Sequence, residues 1–333
     1  MEFDKTKKIG IFRALQLGDL LCSIPAIRAL KSAAPSASIY LIGLPGMRII
    51  TERFSHYFNG FIPFPGYPGL PEQSYNVNAI AEFILAMQNE KFDLILQMQG
   101  NGTKVNQLIE LLGARYCGGF YTSSDYKPPG DLFLPYPDYG HETERHLALM
   151  HHIGVPDGSV EMEFPLREED LLAYDQLHLA DKKYVCIHPG SRGSWRQWPR
   201  ENFARMADLC IDNGLNAVIT GTPEETSIVE EVAAKMKHKP VIAAGKTNLG
   251  SMGVMLKRSS GLVSNCTGVS HMAAALKVPG IIVSMDGEPQ RWAPLDKDLF
   301  YTINWLDDPD YSKTESALIT LIRNGSFSQG YGS

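Results

Sequence analysis

The sequence predicts an α/β protein folded as two doubly wound halves, and three observations carry that expectation. Short apolar runs alternate with helix-period segments almost from end to end, the pattern of strands joined through helices into parallel sheets. At 333 residues the chain exceeds the usual size of one hydrophobic core, and with 44% hydrophobic and 20% charged residues it can fill two. Two strand-to-helix handovers, Leu17-Gly18-Asp19-Leu20-Leu21 and Cys266-Thr267-Gly268-Val269-Ser270-His271, stand in opposite halves, at the kind of junction where α/β proteins bind anions.

Taken in order, apolar runs in the first half predict strands at 9–12, 38–43, 93–98 and 116–119, with helices at 20–33, 76–89, 103–112 and 143–153. The stretches 61–75 and 121–140, rich in proline, glycine and aromatic residues, read as long loops of the binding kind. Gly154-Val-Pro-Asp-Gly158, then Phe164-Pro165 and a charged helix from Glu168 to about His178, mark the hinge region. Beyond it, strands are expected at 184–188, 216–220, 240–243, 261–264, 280–285 and 300–304, and helices at 199–213, 224–237, 251–258 and 268–276. Pro199 at a first helical position and Gly214 just past the end follow the proline-first, glycine-last asymmetry. A last helix over 313–323 precedes a glycine- and serine-rich segment expected to be a disordered tail. The resulting domains are 1–160 and 161–312, with 313–333 as a terminal helix, expected to cross back to the first domain, and tail.

Composition excludes several classes. A net charge of −6 and a pI near 5.9 argue against a nucleic-acid partner, which would need a basic stripe. Five scattered cysteines without a CxxC pair suggest neither a disulfide framework nor a zinc ribbon, and fit a reducing cytoplasm. No apolar run approaches the roughly 20 residues that span a bilayer, and the N-terminus lacks the plan of a signal peptide. Contact with a membrane would be peripheral. The Asp307-Asp308-Pro309-Asp310 cluster reads as a solvated turn, so no metal ligand set is expected. No Walker loop, GxGxxG fingerprint or GxSxG elbow occurs.

The candidate chemistry sits at strand ends. Asp19, after the permissive Gly18, places a carboxylate in a first helical turn, where it is either a helix cap or an ionised proton acceptor. In the segment 185–199, Ser191, Arg192, Ser194 and Arg196 approach a helix start. They either grip phosphate oxygens or form a solvated loop whose arginines pair with acids while Trp195 and Trp198 pack between elements. Thr267, Gly268, Ser270 and His271 offer hydroxyl and imidazole donors to a diphosphate at a second helix start. Glu224 and Glu225 either accept from ribose hydroxyls or stabilise their own helix.

Three blocks resemble the ADP-heptose:lipopolysaccharide heptosyltransferases, glycosyltransferase family 9. They are residues 11–30 (Ile-Phe-Arg-Ala-Leu-Gln-Leu-Gly-Asp-Leu-Leu-Cys-Ser-Ile-Pro-Ala-Ile-Arg-Ala-Leu), His188-Pro-Gly-Ser191 through Arg196-Gln-Trp-Pro199, and residues 264–276 followed by Val278-Pro279. Gly113 and the helix after His141 are similar as well, so the likeness spans nearly the whole chain. It implies a GT-B fold, two Rossmann-like domains facing each other across a cleft, with acceptor bound in the N-terminal half and nucleotide sugar in the C-terminal half. It further implies inverting, metal-independent sugar transfer from a nucleotide diphosphate donor, of the ADP-heptose type, to a lipid-linked or cell-surface glycan such as the lipopolysaccharide core. The enzyme would be cytoplasmic, peripheral at the inner face of the bacterial inner membrane. By the same resemblance Asp19 is the general base, Arg196 takes the basic position of the middle block, and Thr267, Gly268 and His271 match the diphosphate-binding turn. Arg13, Gly18, Arg48 and Arg53 are expected toward a phosphorylated acceptor. The chain departs from the pattern at Cys266, where the family carries Asp. A thiol cannot replace a carboxylate as a strong acceptor, and Asn265 is expected to supply part of the lost bonding. A silent nucleotide-sugar-binding protein and another GT-B enzyme, such as an epimerase, are the alternatives.

Overall fold

The computed structural model describes residues 5–179 and 182–323, and the chain divides between Glu161 and Met162 into two units. The first unit runs β1 (Lys8–Phe12), α1 (Leu17–Ala33), β2 (Ser38–Gly43), α2 (Arg48–Arg53), β3 (Gly60–Pro63), α3 (Val77–Glu90), β4 (Leu94–Gln97), α4 (Asn106–Leu111), β5 (Tyr116–Tyr121), β6 (Phe133–Pro135) and α5 (Glu142–His152). Its strands are all parallel, in the order β3-β2-β1-β4-β5-β6. The run Ile9-Gly-Ile-Phe12 is apolar throughout because β1 is central and covered on both faces. Gly10 lets the strand sit against Ile42 and Ile95, whose carbons would lie 3.1 Å from an added Cβ.

Both stretches read as loops contain a strand. β3 opens the first and β6 lies within the second. Each is an edge strand with a proline at its end, a place where a missing amide costs no ladder bond, and each is too short and too exposed to print an apolar run. Helix α1 starts at Leu17, so Gly18 and Asp19 lie inside its first turn.

The second unit runs α6 (Glu168–Asp175), β7 (Tyr184–His188), α7 (Arg200–Asp212), β8 (Asn216–Ile219), α8 (Thr226–Lys235), β9 (Val241–Ile242), α9 (Leu249–Arg258), β10 (Gly261–Asn265), α10 (Gly268–Ala275), β11 (Gly280–Ser284), α11 (Pro289–Trp292), β12 (Phe300–Asn304) and α12 (Tyr311–Arg323). Its parallel order, β12-β11-β10-β7-β8-β9, repeats that of the first unit. Pro199, expected at the first helical position, stands one residue before α7, and Gly214 closes the helix with φ +83°.

Helix α12, expected to return to the first domain, packs instead on α7 and β11 of the second unit. The reason is its apolar face: Leu318 is fully buried in that unit's core, and Ala317, Leu321 and Ile322 flank it. Its start is built by the acidic cluster. Asp310 Oδ1 accepts from the Ser312 amide at 2.8 Å and its hydroxyl at 2.6 Å, Asp308 pairs with Lys313, and Asp307 accepts from Asn304 at 2.6 Å. The expected tail, 324–333, lies outside the described residues.

Candidate active site

In each sheet the strand order reverses direction beside the first strand, and the carboxyl ends flanking that point form the crevice where open α/β sheets take ligands. In the first unit this point lies between β1 and β4. The β1–α1 loop is pinned there from the β4 end: the Ala14 amide donates to Gln99 Oε1 at 2.7 Å, and Arg13 donates to the Met98 carbonyl. Arg13 Nε donates to the Asp19 carbonyl at 2.8 Å, and its Nη2 meets Glu142 Oε1 at 3.3 Å. The guanidinium is fully buried. Arg13, expected toward the acceptor, is thus an internal brace with no surface open to solvent. Arg53 is buried too. Arg48 is exposed at the start of α2, its guanidinium 5.1 Å from the centre of the Phe61 ring.

Asp19 is half-buried and Gly18 is buried beside it. Withdrawal from water raises the Asp19 carboxyl above its ordinary value, the charges of Glu142 and Glu72 push the same way, and Arg13 with a backbone hydrogen bond only partly offsets them. The expected ionising influence of the helix start is present but loses to burial. A carboxyl tuned upward is a stronger proton acceptor than a solvated one. Glu72, bonded to Gln16 at 3.4 Å, brings the proline-rich loop to this helix start.

In the second unit the corresponding point lies between β7 and β10, where Ser264 and His188 are in register. Asn265 organises it. Its Nδ2 donates to the carbonyls of Pro189 at 2.9 Å and Gly190 at 3.2 Å, and its Oδ1 accepts from the Trp198 amide at 2.9 Å. It is fully buried, and all three of these bonds go to the protein's own backbone, where ligand bonding beside Cys266 was expected of it. Burial, with the charge of Asp286 in support, pushes the Cys266 thiol up to about 12, so it is protonated at neutral pH.

Thr267 caps α10, and the Ser270 hydroxyl accepts from its amide at 3.1 Å and donates to its carbonyl at 2.6 Å. Ser270, expected toward the donor, is thus part of the helix cap, buried and bonded to Thr267. Gly268, in the first turn of α10, is partly exposed, and His271 is buried in the same helix with its ring 6.5 Å from that of Trp292. Trp198 packs in the core against Phe203, Trp305 and Tyr311, whereas Trp195 is 62% exposed with the Arg196 guanidinium 4.6 Å from its ring centre. Arg196 Nη2 stands 3.8 Å from Asp286 Oδ2, and its Nε is buried without a partner. Arg192 is exposed and Ser191 buried.

The two glutamates separate. Glu224 faces solvent, its carboxyl lowered by backbone and Thr222 hydrogen bonds. Glu225 turns inward, accepting from the Thr222 amide at 2.9 Å and lying 4.0 Å from His188 Nε2. A Cβ on Gly190 would fall 2.2 Å from the Glu225 carboxyl carbon, so only glycine admits that side chain against the loop. His188 bonds Thr220 Oγ1 at 2.8 Å, and burial lowers its basicity, with Glu225 partly opposing. Sequence reading did not single out His188, Glu142 or Asp286 as functional. The available signal for Asp286 was its position just past a strand, before Gly287.

Two doubly wound units of one strand order are the architecture of a two-domain GT-B glycosyltransferase. The chain belongs to glycosyltransferase family 9 (heptosyltransferase), whose model matches residues 80–318. It is 23% identical over 302 residues to the lipopolysaccharide core heptosyltransferase OpsX of Haemophilus influenzae, covering 86% of this chain and 82% of that protein. With lipopolysaccharide heptosyltransferase 3 of Escherichia coli it shares 25% over 290 residues, 83% and 82% of the two chains. Among solved structures, a family 9 glycosyl transferase from Veillonella parvula superposes with TM-score 0.77 at 20% identity, covering 95% of this chain and 90% of that one. ADP-heptose lps heptosyltransferase II of Escherichia coli superposes with TM-score 0.76 at 19%, covering 96% and 99%.

Proposed function

We propose that this glycosyltransferase moves a heptose from ADP-heptose to a lipopolysaccharide-core or related cell-surface glycan acceptor, inverting the anomeric centre without a metal. One observation carries the reading: the Asp19 carboxyl sits at the helix start after β1 with its proton affinity raised by burial. Such a group takes the proton of an acceptor hydroxyl as that oxygen attacks the sugar's anomeric carbon. The bond to the departing diphosphate breaks on the opposite side, which is why the configuration inverts. The charge that develops on the diphosphate falls to Arg196 and the amides at the start of α10, which replace a metal in this role. Glu225, turned toward the His188–Ser191 loop, is the better placed of the two glutamates to accept from ribose hydroxyls.

The relatives whose names specify lipopolysaccharide, and the solved heptosyltransferase WaaC of Escherichia coli described with ADP, support the choice of substrates. The enzyme would work in the cytoplasm in peripheral contact with the inner membrane, where a lipid-linked acceptor resides; no helix among the described residues is long and apolar enough to cross a membrane. The test is transfer from ADP-heptose to a heptose-deficient lipopolysaccharide acceptor, with and without EDTA, the product anomer being read by NMR. The expected result is an inverted linkage, EDTA-insensitive and lost in Asp19→Ala. Binding of ADP-heptose without turnover would make the chain a silent binder, and turnover abolished by EDTA would overturn the metal-free assignment.

A further inference from the structure

We infer that Asp286 is the acceptor for the hydroxyl of the transferred sugar next to its anomeric carbon, an assignment that rests on the second unit being the donor-binding unit. Asp286 lies two residues past β11, the strand beside β10, whose end forms the cradle. Its side chain is only 5% exposed. One oxygen, Oδ1, is fixed by its own turn, accepting from the Ser284 hydroxyl at 2.8 Å and the Glu288 amide at 3.2 Å. The other, Oδ2, faces Arg196 across 3.8 Å, too far for a hydrogen bond.

That arrangement needs a reason, because a buried carboxylate beside a diphosphate pocket repels the ligand. Bracing Arg196 does not supply one: a brace would close to hydrogen-bond distance, and here the carboxylate is held by Ser284 and Glu288 instead. What remains is an oriented anionic oxygen with open lone pairs, adjacent to the arginine assigned to the diphosphate. In a nucleotide sugar the neutral donor nearest the diphosphate is the hydroxyl one carbon from the anomeric centre. The neighbouring side chains do not serve it. Asn265 and the Ser270 hydroxyl are already bonded, and the protonated Cys266 thiol is a weak acceptor.

The experiment is calorimetric titration of the full chain and of Asp286→Asn with ADP, ADP-heptose and ADP-2-deoxy-2-fluoro-heptose, in which fluorine cannot donate. The variant should bind ADP as tightly as the wild type or more so, which also reports that it is folded. It should bind ADP-heptose about ten- to a hundredfold more weakly. The wild type should prefer ADP-heptose over the fluoro analogue and the variant should not. Equal losses for ADP and ADP-heptose would make Asp286 a support for Arg196 and overturn the assignment, as would an unchanged variant or a wild type indifferent to the fluorine. A wild type that binds neither ADP nor ADP-heptose would instead defeat the donor-unit reading beneath it.

Discussion

Arg13 Nε donates to the main-chain carbonyl of Asp19 at 2.8 Å, tying the backbone of the proposed base to a guanidinium that solvent does not touch. The same guanidinium neutralises Glu142, which is also buried. Arg13→Ala would take from that carboxylate its buried guanidinium, leaving His146 Nε2 at 3.3 Å, and removing one partner of a buried pair costs about 3–5 kcal/mol. The variant should unfold at markedly lower denaturant concentration, a loss that Arg13→Met combined with Glu142→Leu should reduce.

Asp19 should show function and stability in opposition. Its carboxyl is raised in the folded protein, so between its ordinary value and the raised one the folded state holds more protons than the unfolded. Stability contributed by this group is present at low pH and is lost as pH rises through that window. Asp19→Asn should therefore be at least as stable as the wild type at neutral pH while losing about a hundred- to ten-thousandfold in turnover. Thermal melts and transfer assays on one preparation check both. In the wild type the rate should fall as the pH drops into the same window.

His188 acts in the other direction. Burial lowers it below the ordinary 6.5, so its contribution to stability is present above that pH and is lost as pH falls toward the folded value. His188→Gln, which keeps a donor for Thr220, should flatten the acid limb of the stability–pH curve measured by urea unfolding.

Asn265→Ala would leave the Trp198 amide without its partner and release the carbonyls of Pro189 and Gly190. A buried donor left unsatisfied costs about 1–3 kcal/mol. Beyond a lowered melting temperature, ADP affinity should fall, because the loop bearing Ser191 and Arg196 loses its anchor.

Gly190→Ala should separate fold from affinity. The added carbon would meet the far end of a glutamate, which can swing away, so the melting temperature should barely move. The displaced Glu225 could no longer face the loop, and ADP binding should weaken relative to ADP binding by Glu224→Gln, which should be unaffected.

Much of the scaffold was legible. β1, β2, β7, β10 and β11 were found within a residue because strands covered on both faces spell continuous apolar runs. β3 and β6 were lost in proline-rich stretches because edge strands need neither the apolar run nor every amide. At the site, glycines and chemistry-bearing residues at strand ends were visible as types, but their roles were not. Arg13 and Ser270 read as ligand contacts by type, whereas their burial and their partners, Met98 and Glu142 for the one and Thr267 for the other, are set by residues that no local pattern names. Asn265 acts on residues 67 to 76 positions away, and no local pattern encodes that reach.

Trp198, two residues beyond Arg196, is sealed among Phe203, Trp305 and Tyr311. The cation proposed for the diphosphate therefore hangs on a short tether from a buried aromatic cluster of its unit. Trimming a ring of that cluster, at Tyr311 for example, should loosen that tether first, dulling nucleotide recognition while the sheet behind it still stands.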